Sequence, residues 1–239
     1  MPWKERLIIA LDVDTAAAAL SVVDRLGDDI TTYKIGFELF VSAGTSVVQR
    51  IQERGKRVFL DLKYHDIPNT VARAAVAATR LGAFMFNVHA SGGLDMMQRT
   101  VLAVNELCAR EGLSRPRIIA VTMLTSMTND ILRNELTISH PVKTHVRTLA
   151  ALAQKAGLDG VVSSPQETAM IKEQCGKEFL VVTPGIRPSW TPPDDQRRTA
   201  TPQEAMRDGA DFIVMGRAIL TAEDPVKALE LISLEMLSA

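Results

Sequence analysis

The chain has 239 residues, of which 46% are hydrophobic and 23% charged, and its formal net charge is −1. Such values suit a globular protein with a sizeable core and leave no global charge to recruit nucleic acid or an anionic membrane. No run approaches the roughly 20 apolar residues of a membrane span, and the opening "LIIALDV" is too short for a signal segment, so a cytoplasmic protein is expected.

One pattern recurs along the chain: a short β-rich run, a polar turn, then an amphipathic segment ending near glycine. The predicted strands are "RLIIALDV" (6–13), "TTYKIGF" (31–37), "RVFLDLKY" (57–64) and "FMFNVHA" (84–90). They continue with "RIIAVTML" (117–124), "GVVSS" (160–164), "FLVVTPG" (179–185) and "DFIVMGR" (211–217). Helical patterns such as "TAAAALSVVDRLG", "VARAAVAATRLG" and "VKTHVRTLAALAQKAG" lie between them, and "LISLEMLSA" closes the chain as a last helix. Gly27, Gly55, Gly82, Gly112, Gly157 and Gly209 stand where helix C-caps belong. Eight nearly all-apolar strands alternating with helices predict a parallel sheet covered on both faces. Eight units in this length match a single (β/α)₈ TIM barrel over residues 1–239. A doubly wound open sheet is the alternative, but no GxGxxG follows the first strand and polar residues mark almost every strand end. The Pro-rich segment "RPSWTPPDDQRR" (187–198) falls between the seventh strand and its helix, and reads as a long functional loop rather than a linker. Within it, Arg197 and Arg198 read as a solvated or anion-facing pair. Cys108 and Cys175 are isolated in helix-like segments, as free thiols of a reducing compartment would be, and the four histidines form no metal motif.

Active groups of such a barrel gather at the C-terminal ends of its strands. Those ends carry Asp12, Lys34, Asp61 with Lys63, His89, Thr125 with Ser126, Arg187, and Gly216 with Arg217. The two-residue period of a strand sends Asp61 and Lys63 into the barrel mouth and Leu62 toward the helices. Asp12, at the end of the inward series Ile8 and Ala10, and Lys34, just before Gly36, join them. Isolated charges in a low-dielectric mouth are costly, so two aspartates and two lysines interleaved there are expected to pair. One such pair would read as structural; four charges on three consecutive strands, with Asp66 just beyond, read as catalytic. A Schiff-base lysine needs a nearby cation or desolvation, whereas Lys63 has Asp61 and Asp66 beside it and is expected to remain an ammonium. Interleaved lysines would also repel a metal ion. The cluster therefore points to metal-free acid catalysis on an anionic intermediate.

The last two strands end in "TPGIRP" and "MGR". Loops after strands seven and eight form the usual phosphate corner of this fold, where glycine amides and arginine meet a dianion. Gly185, Arg187, Gly216 and Arg217 fit that corner, and a phosphorylated substrate is expected.

DxKxxD followed by IPNT, with Asp12 in "ALDV" and Lys34 in "YKIG", resembles the orotidine 5′-phosphate decarboxylase family. The likeness continues in order through "VTMLTS" (121–126), "VTPGIRP" (182–188), "DQRR" (195–198) and "MGR" (215–217). It departs at Ala218, where many relatives carry proline. The resemblance implies cofactor-free conversion of orotidine 5′-phosphate to UMP and CO₂, the last step of UMP synthesis. It implies that Asp12 and Lys34 hold the ribose hydroxyls, that Asp61 faces the substrate carboxylate and that Lys63 protonates C6. Asp66 and Thr70 would reach the site of a neighbouring subunit in a homodimer. Thr125 and Ser126 would read the pyrimidine amide edge; Arg187, Gln196, Gly216 and Arg217 would bind phosphate, with 188–200 as a closing lid. No metal, membrane or nucleic-acid partner is implied.

Two rivals remain. Sugar-phosphate enzymes of the same superfamily share a DxKxxD strand but bind Mg²⁺ through a glutamate near the end of the second strand. Here that strand carries Lys34, which cannot ligate a cation, and Glu38 reads as a helix-cap or surface acid. A nucleotide-binding sensor barrel is the non-enzymatic rival, and it has no need of Lys63 between two aspartates.

Overall fold

The computed structural model describes residues 2–191 and 198–239. Eight parallel strands close into a barrel in sequence order: β1 (Leu7–Ala10), β2 (Thr32–Ile35), β3 (Arg57–Tyr64), β4 (Met85–His89), β5 (Arg117–Val121), β6 (Gly160–Val162), β7 (Leu180–Thr183) and β8 (Phe212–Met215). The last strand pairs with the first through Leu7 and Ile213, so no sheet edge is left open. The helices, in chain order, are α1 (Trp3–Arg6), α2 (Ala16–Leu26), α3 (Phe37–Gln52), α4 (Pro68–Arg80), α5 (Gly93–Glu111) and α6 (Asn129–Asn134). They continue with α7 (Val142–Lys155), α8 (Thr168–Cys175), α9 (Pro202–Arg207), α10 (Arg217–Leu220) and α11 (Pro225–Leu237). Among the described residues no helix is long and apolar enough to cross a membrane.

Local chemistry explains the helix ends. The Thr15 hydroxyl accepts from the Ala18 amide to start α2, and Ala19, Leu20, Val23 and Leu26 then bury one face. Pro68 opens α4 and Pro225 opens α11, positions where a missing N–H costs nothing. Gly112 ends α5 in a left-handed conformation (φ 64°) that a side chain would strain. The other five glycines expected at helix ends also take positive φ.

Side chains alternate across the barrel wall. Inward-facing Ile8, Phe59, Met85, Ile119, Val182 and Phe212 fill the interior. Their outward neighbours, such as Ile9, Leu60, Phe86, Ile118, Val181 and Ile213, pack under the helical ring. Both faces are buried, which is why these strands read as unbroken apolar runs.

Seven of the eight strands are shorter than the sequence suggests. Except for Lys34 in β2, Asp61 and Lys63 in β3 and His89 in β4, the polar residues expected at the C-terminal ends lie beyond the hydrogen-bonded ladder, in the loops of the barrel mouth. The chain also forms one helical turn before β1 and an unexpected short helix, α6, started by the Thr128 hydroxyl on the Ile131 amide. Cys108 and Cys175 are free thiols, half-buried and buried respectively.

Candidate active site

A pocket of about 320 Å³ opens at the C-terminal mouth of the barrel. Asp12, Lys34, Asp61, Lys63, Thr125, Ser126, Arg187, Gly216 and Arg217 all line it, so the structure gathers nine residues singled out by strand position. Asp66 and Thr70 are exposed and line none of this pocket; Asp66 Oδ1 instead accepts from the Ile67 amide at 2.6 Å, at the entrance to α4. Gln196 and Arg197 lie outside the described residues, with the rest of the stretch 192–197 of the loop expected to close.

The near wall is a line of alternating charge. Lys34 Nζ lies 3.1 Å from Asp12 Oδ1 and 3.3 Å from Asp61 Oδ2, and Lys63 Nζ lies 2.8 Å from Asp61 Oδ1. The Lys34 and Asp61 side chains are each 12% exposed, so both ions are held well out of solvent. Burial pushes the Lys34 ammonium toward deprotonation, but the carboxylates of Asp61 and Asp12 outweigh it and raise its pKa above the ordinary lysine value. Lys34 is therefore a fixed cation. Lys63 Nζ also sits 5.2 Å from the ring centroid of Phe37, where the ring face favours a positive charge.

The backbone beneath Lys63 is unusual. Leu60 pairs with Phe86 and Tyr64 pairs with Val88, so four steps on β3 oppose two on β4. The bulge slips the register by an even number, and the inward–outward alternation survives it. Leu62 packs outward against the helices as expected, while Asp61 and Lys63 both reach the pocket. Lys63 itself takes φ 45°, a left-handed conformation uncommon outside glycine. The Asn87 side chain supplies its amide with a partner: Lys63 N donates to Asn87 Oδ1 at 2.8 Å, and Asn87 Nδ2 donates to Asp61 Oδ1 at 2.7 Å. Asn87 is fully buried. Sequence reading passed over it, although a polar residue inside the apolar run "FMFNVHA", two positions beyond inward Met85, was the available signal.

His89, the strand-end residue of β4, is not part of the pocket lining. It stacks on His65 with ring centroids 5.3 Å apart, and burial, then the neighbouring His65 and Lys63, hold its pKa below the usual imidazole value. Glu38 is exposed in the first turn of α3, in keeping with a surface acid. Among the described residues no group of three or more His, Cys, Asp or Glu side chains could hold a metal ion.

The far wall carries Gly185, Arg187, Gly216 and Arg217 at the ends of β7 and β8. A Cβ at Gly216 would come 3.3 Å from both Ala10 Cβ and Asp12 Oδ2, a tight fit that a bare backbone avoids. Arg187 is fixed through its backbone, its amide donating to Ala200 O at 2.9 Å. Of the solvated and anion-facing places expected for Arg198, the structure has the anion-facing one, with a carboxylate of the chain itself as the anion. The arginine side chain is 13% exposed, and Nη1 lies 2.7 Å from Glu167 Oε1, because a buried carboxylate needs a counter-ion.

The sequence matches the Orotidine 5′-phosphate decarboxylase / HUMPS family over residues 5–232. It is 50% identical over 236 residues to the orotidine 5′-phosphate decarboxylase of Moorella thermoacetica, covering 99% of this chain and 94% of that protein. It is 49% identical over 230 residues to the enzyme of the same name from Pelobacter propionicus, covering 96% and 94%. The crystal structure of orotidine 5′-phosphate decarboxylase from Lactobacillus acidophilus superposes with a TM-score of 0.86 at 40% identity, over 97% of this chain and 99% of that one. With the likeness running from end to end in both sequence and barrel, the chain belongs to the orotidine 5′-phosphate decarboxylase / HUMPS family.

Proposed function

We propose that this chain is an enzyme that decarboxylates orotidine 5′-phosphate to UMP and CO₂ in pyrimidine synthesis, without a cofactor, and that Lys63 protonates C6. In this reading the phosphate meets Arg187, Gly216, Arg217 and Gln196. The ribose hydroxyls meet Asp12 and Lys34, and the pyrimidine amide edge meets Thr125 and Ser126. The substrate carboxylate then falls beside Asp61 and C6 beside Lys63.

The chemistry follows from where charge moves. The bond from C6 to the carboxylate carbon breaks, CO₂ leaves, and the electron pair stays on C6. A proton passes from Lys63 Nζ to C6, and the resulting amine regains a proton from solvent after the product leaves. Asp61 disfavours the starting carboxylate, whereas the Lys63 ammonium favours the charge that develops on C6. Both effects lower the barrier by acting differently on ground and transition states. Electrostatic groups fixed in advance need no reorganisation during the reaction, and the chain of ion pairs with Asn87 beneath it supplies that fixity.

The observation that carries the proposal is the unbroken line Asp12–Lys34–Asp61–Lys63, with its ammonium and carboxylate ends inside one pocket opposite two arginines. The Mg²⁺-dependent reading within the same family is disfavoured by Lys34, whose ammonium lies 3.3 Å from Asp61 and so already occupies the side of that carboxylate facing the second strand.

The reading includes a cytoplasmic homodimer with shared sites. Asp66 and Thr70 are exposed outside their own pocket, and apolar Phe37 and Ile67 nearby are 54% and 68% exposed. A two-fold contact there would carry Asp66 toward the partner's Lys63.

Turnover decides the reaction. Orotidine 5′-phosphate should lose its ultraviolet absorbance and give UMP and CO₂ in equal amounts, at the same rate with and without a chelator. A rate abolished by the chelator and restored by Mg²⁺ would move the chain to the sugar-phosphate branch.

A further inference from the structure

Three backbone or side-chain acceptors converge on one guanidinium behind the pocket. Arg198 Nη1 donates to Glu167 Oε1 at 2.7 Å, Nη2 to Leu124 O at 2.9 Å and Nε to Thr125 O at 3.4 Å. Leu124 and Thr125 belong to the irregular segment after β5 that presents Thr125 and Ser126 to the pocket. Among the described residues one turn closes that segment, from Met127 N to Leu124 O at 3.0 Å, and Met123 and Met127 pack against the core on either side of it. Glu167 is 4% exposed and stands just after β6. Its other oxygen lies 3.5 Å from the hydroxyl of Ser163, which lines the pocket. On its own chain, Arg198 lies two residues before Ala200, whose backbone bonds to Gly185 and Arg187. One side chain thus ties the base end of the pocket to the stem that carries the phosphate corner.

We propose that Arg198, anchored by Glu167, is the positioning residue for the loop bearing Thr125 and Ser126, and so sets recognition of the pyrimidine ring without touching it. The guanidinium is suited to this because its planar fork sends N–H groups from three separate nitrogens in fixed directions toward three separated acceptors, whereas an ammonium donates from a single nitrogen on a flexible stem. A structural ion pair needs only the contact to Glu167. The bonds to two consecutive loop carbonyls are the additional feature, and they act on the segment that faces the base. The inference rests on the assignment of Thr125 and Ser126 to the base edge.

The test compares two ligands by calorimetry: UMP, which has base, ribose and phosphate, and ribose 5-phosphate, which lacks the base. Wild type should bind UMP more tightly; if it does not, the assignment of Thr125 and Ser126 fails before Arg198 is reached. Arg198→Ala should weaken UMP on the order of tenfold, the scale of one lost hydrogen bond to the base edge, and leave ribose 5-phosphate unchanged within about twofold. Should the stranded carboxylate unfold that variant, Arg198→Ala combined with Glu167→Gln removes the buried charge and is expected to show the same selective loss. Arg198→Lys keeps a cation beside Glu167 without the fork, and is expected to recover melting temperature but not the preference for UMP. Equal weakening of both ligands, no weakening of either, or full recovery of UMP binding by Arg198→Lys would each overturn the proposal.

Discussion

At the scale of single residues, Asn87 decides how Lys63 is presented. The bulge in β3 leaves the Lys63 amide without a ladder partner, and a non-glycine residue at φ 45° persists only where its surroundings hold it. Asn87 can satisfy both neighbours in one orientation only, with its oxygen toward the Lys63 amide and its nitrogen toward Asp61. Asn87→Asp keeps the shape but sets a second carboxylate against Asp61 and faces it with an oxygen where a donor stood. The expected result is a kcat at least tenfold lower with a KM changed less than kcat, read from steady-state kinetics. A variant with unchanged kcat would show that Lys63 holds its place without Asn87. The charged members of the site were legible in the sequence because charge at the end of an apolar strand is conspicuous. Asn87 was not, because a neutral residue inside a strand resembles an ordinary core polar group until its partners are known. Which anion Arg198 faces was not legible for a related reason: its counter-ion, Glu167, is 31 positions away and acquires meaning only when β6 and the loop before α9 are brought together.

At the scale of elements, the strands and their order follow from the apolar runs, while their ends do not. Asp12, Thr125 and Arg187 lie past the last ladder bonds because the loops at the mouth diverge to make room for a ligand. The face alternation inferred for β3 holds even though the strand is bulged, since a slip of two residues preserves facing where a slip of one would reverse it. Small residues matter to the wall as well. Gly160 opens β6 opposite Leu180 of β7, and a Cβ there would lie 2.6 Å from Leu180 Cβ and closer still to the Leu180 carbonyl oxygen. The obstacle is backbone, which cannot turn aside. Gly160→Ala should therefore destabilise the barrel by about 1–3 kcal/mol, the usual range for overpacking, which corresponds to a few degrees in melting temperature for a chain of this size. An unchanged melting temperature would mean that β6 and β7 can separate at no cost.

At the scale of the molecule, the closed barrel explains why one pocket can draw on residues spread over more than 200 positions, from Asp12 to Arg217. A single chain does not bring in Asp66 or Thr70, and the sequence alone offers no physical route to a neighbour's site; that expectation came with the family resemblance. Shared sites make a sharp prediction. Lys63→Ala and Asp66→Ala homodimers should each be severely impaired. Unfolded together and refolded, about half of the dimers should be mixed, each with one intact site, restoring roughly a quarter of wild-type activity. If mixed dimers form and no activity returns, Asp66 acts within its own chain. The central claim is narrower still: the Lys63 ammonium stabilises the developing charge on C6 and protonates it. Its direct measurement is the kcat of Lys63→Ala on orotidine 5′-phosphate, alongside the affinity of the same variant for UMP. The loss in kcat should exceed the roughly 10²–10⁴-fold that general acid catalysis alone supplies, while affinity falls much less because the phosphate corner is untouched. A variant that keeps more than about a tenth of wild-type kcat, far above that range, would remove Lys63 from the chemistry.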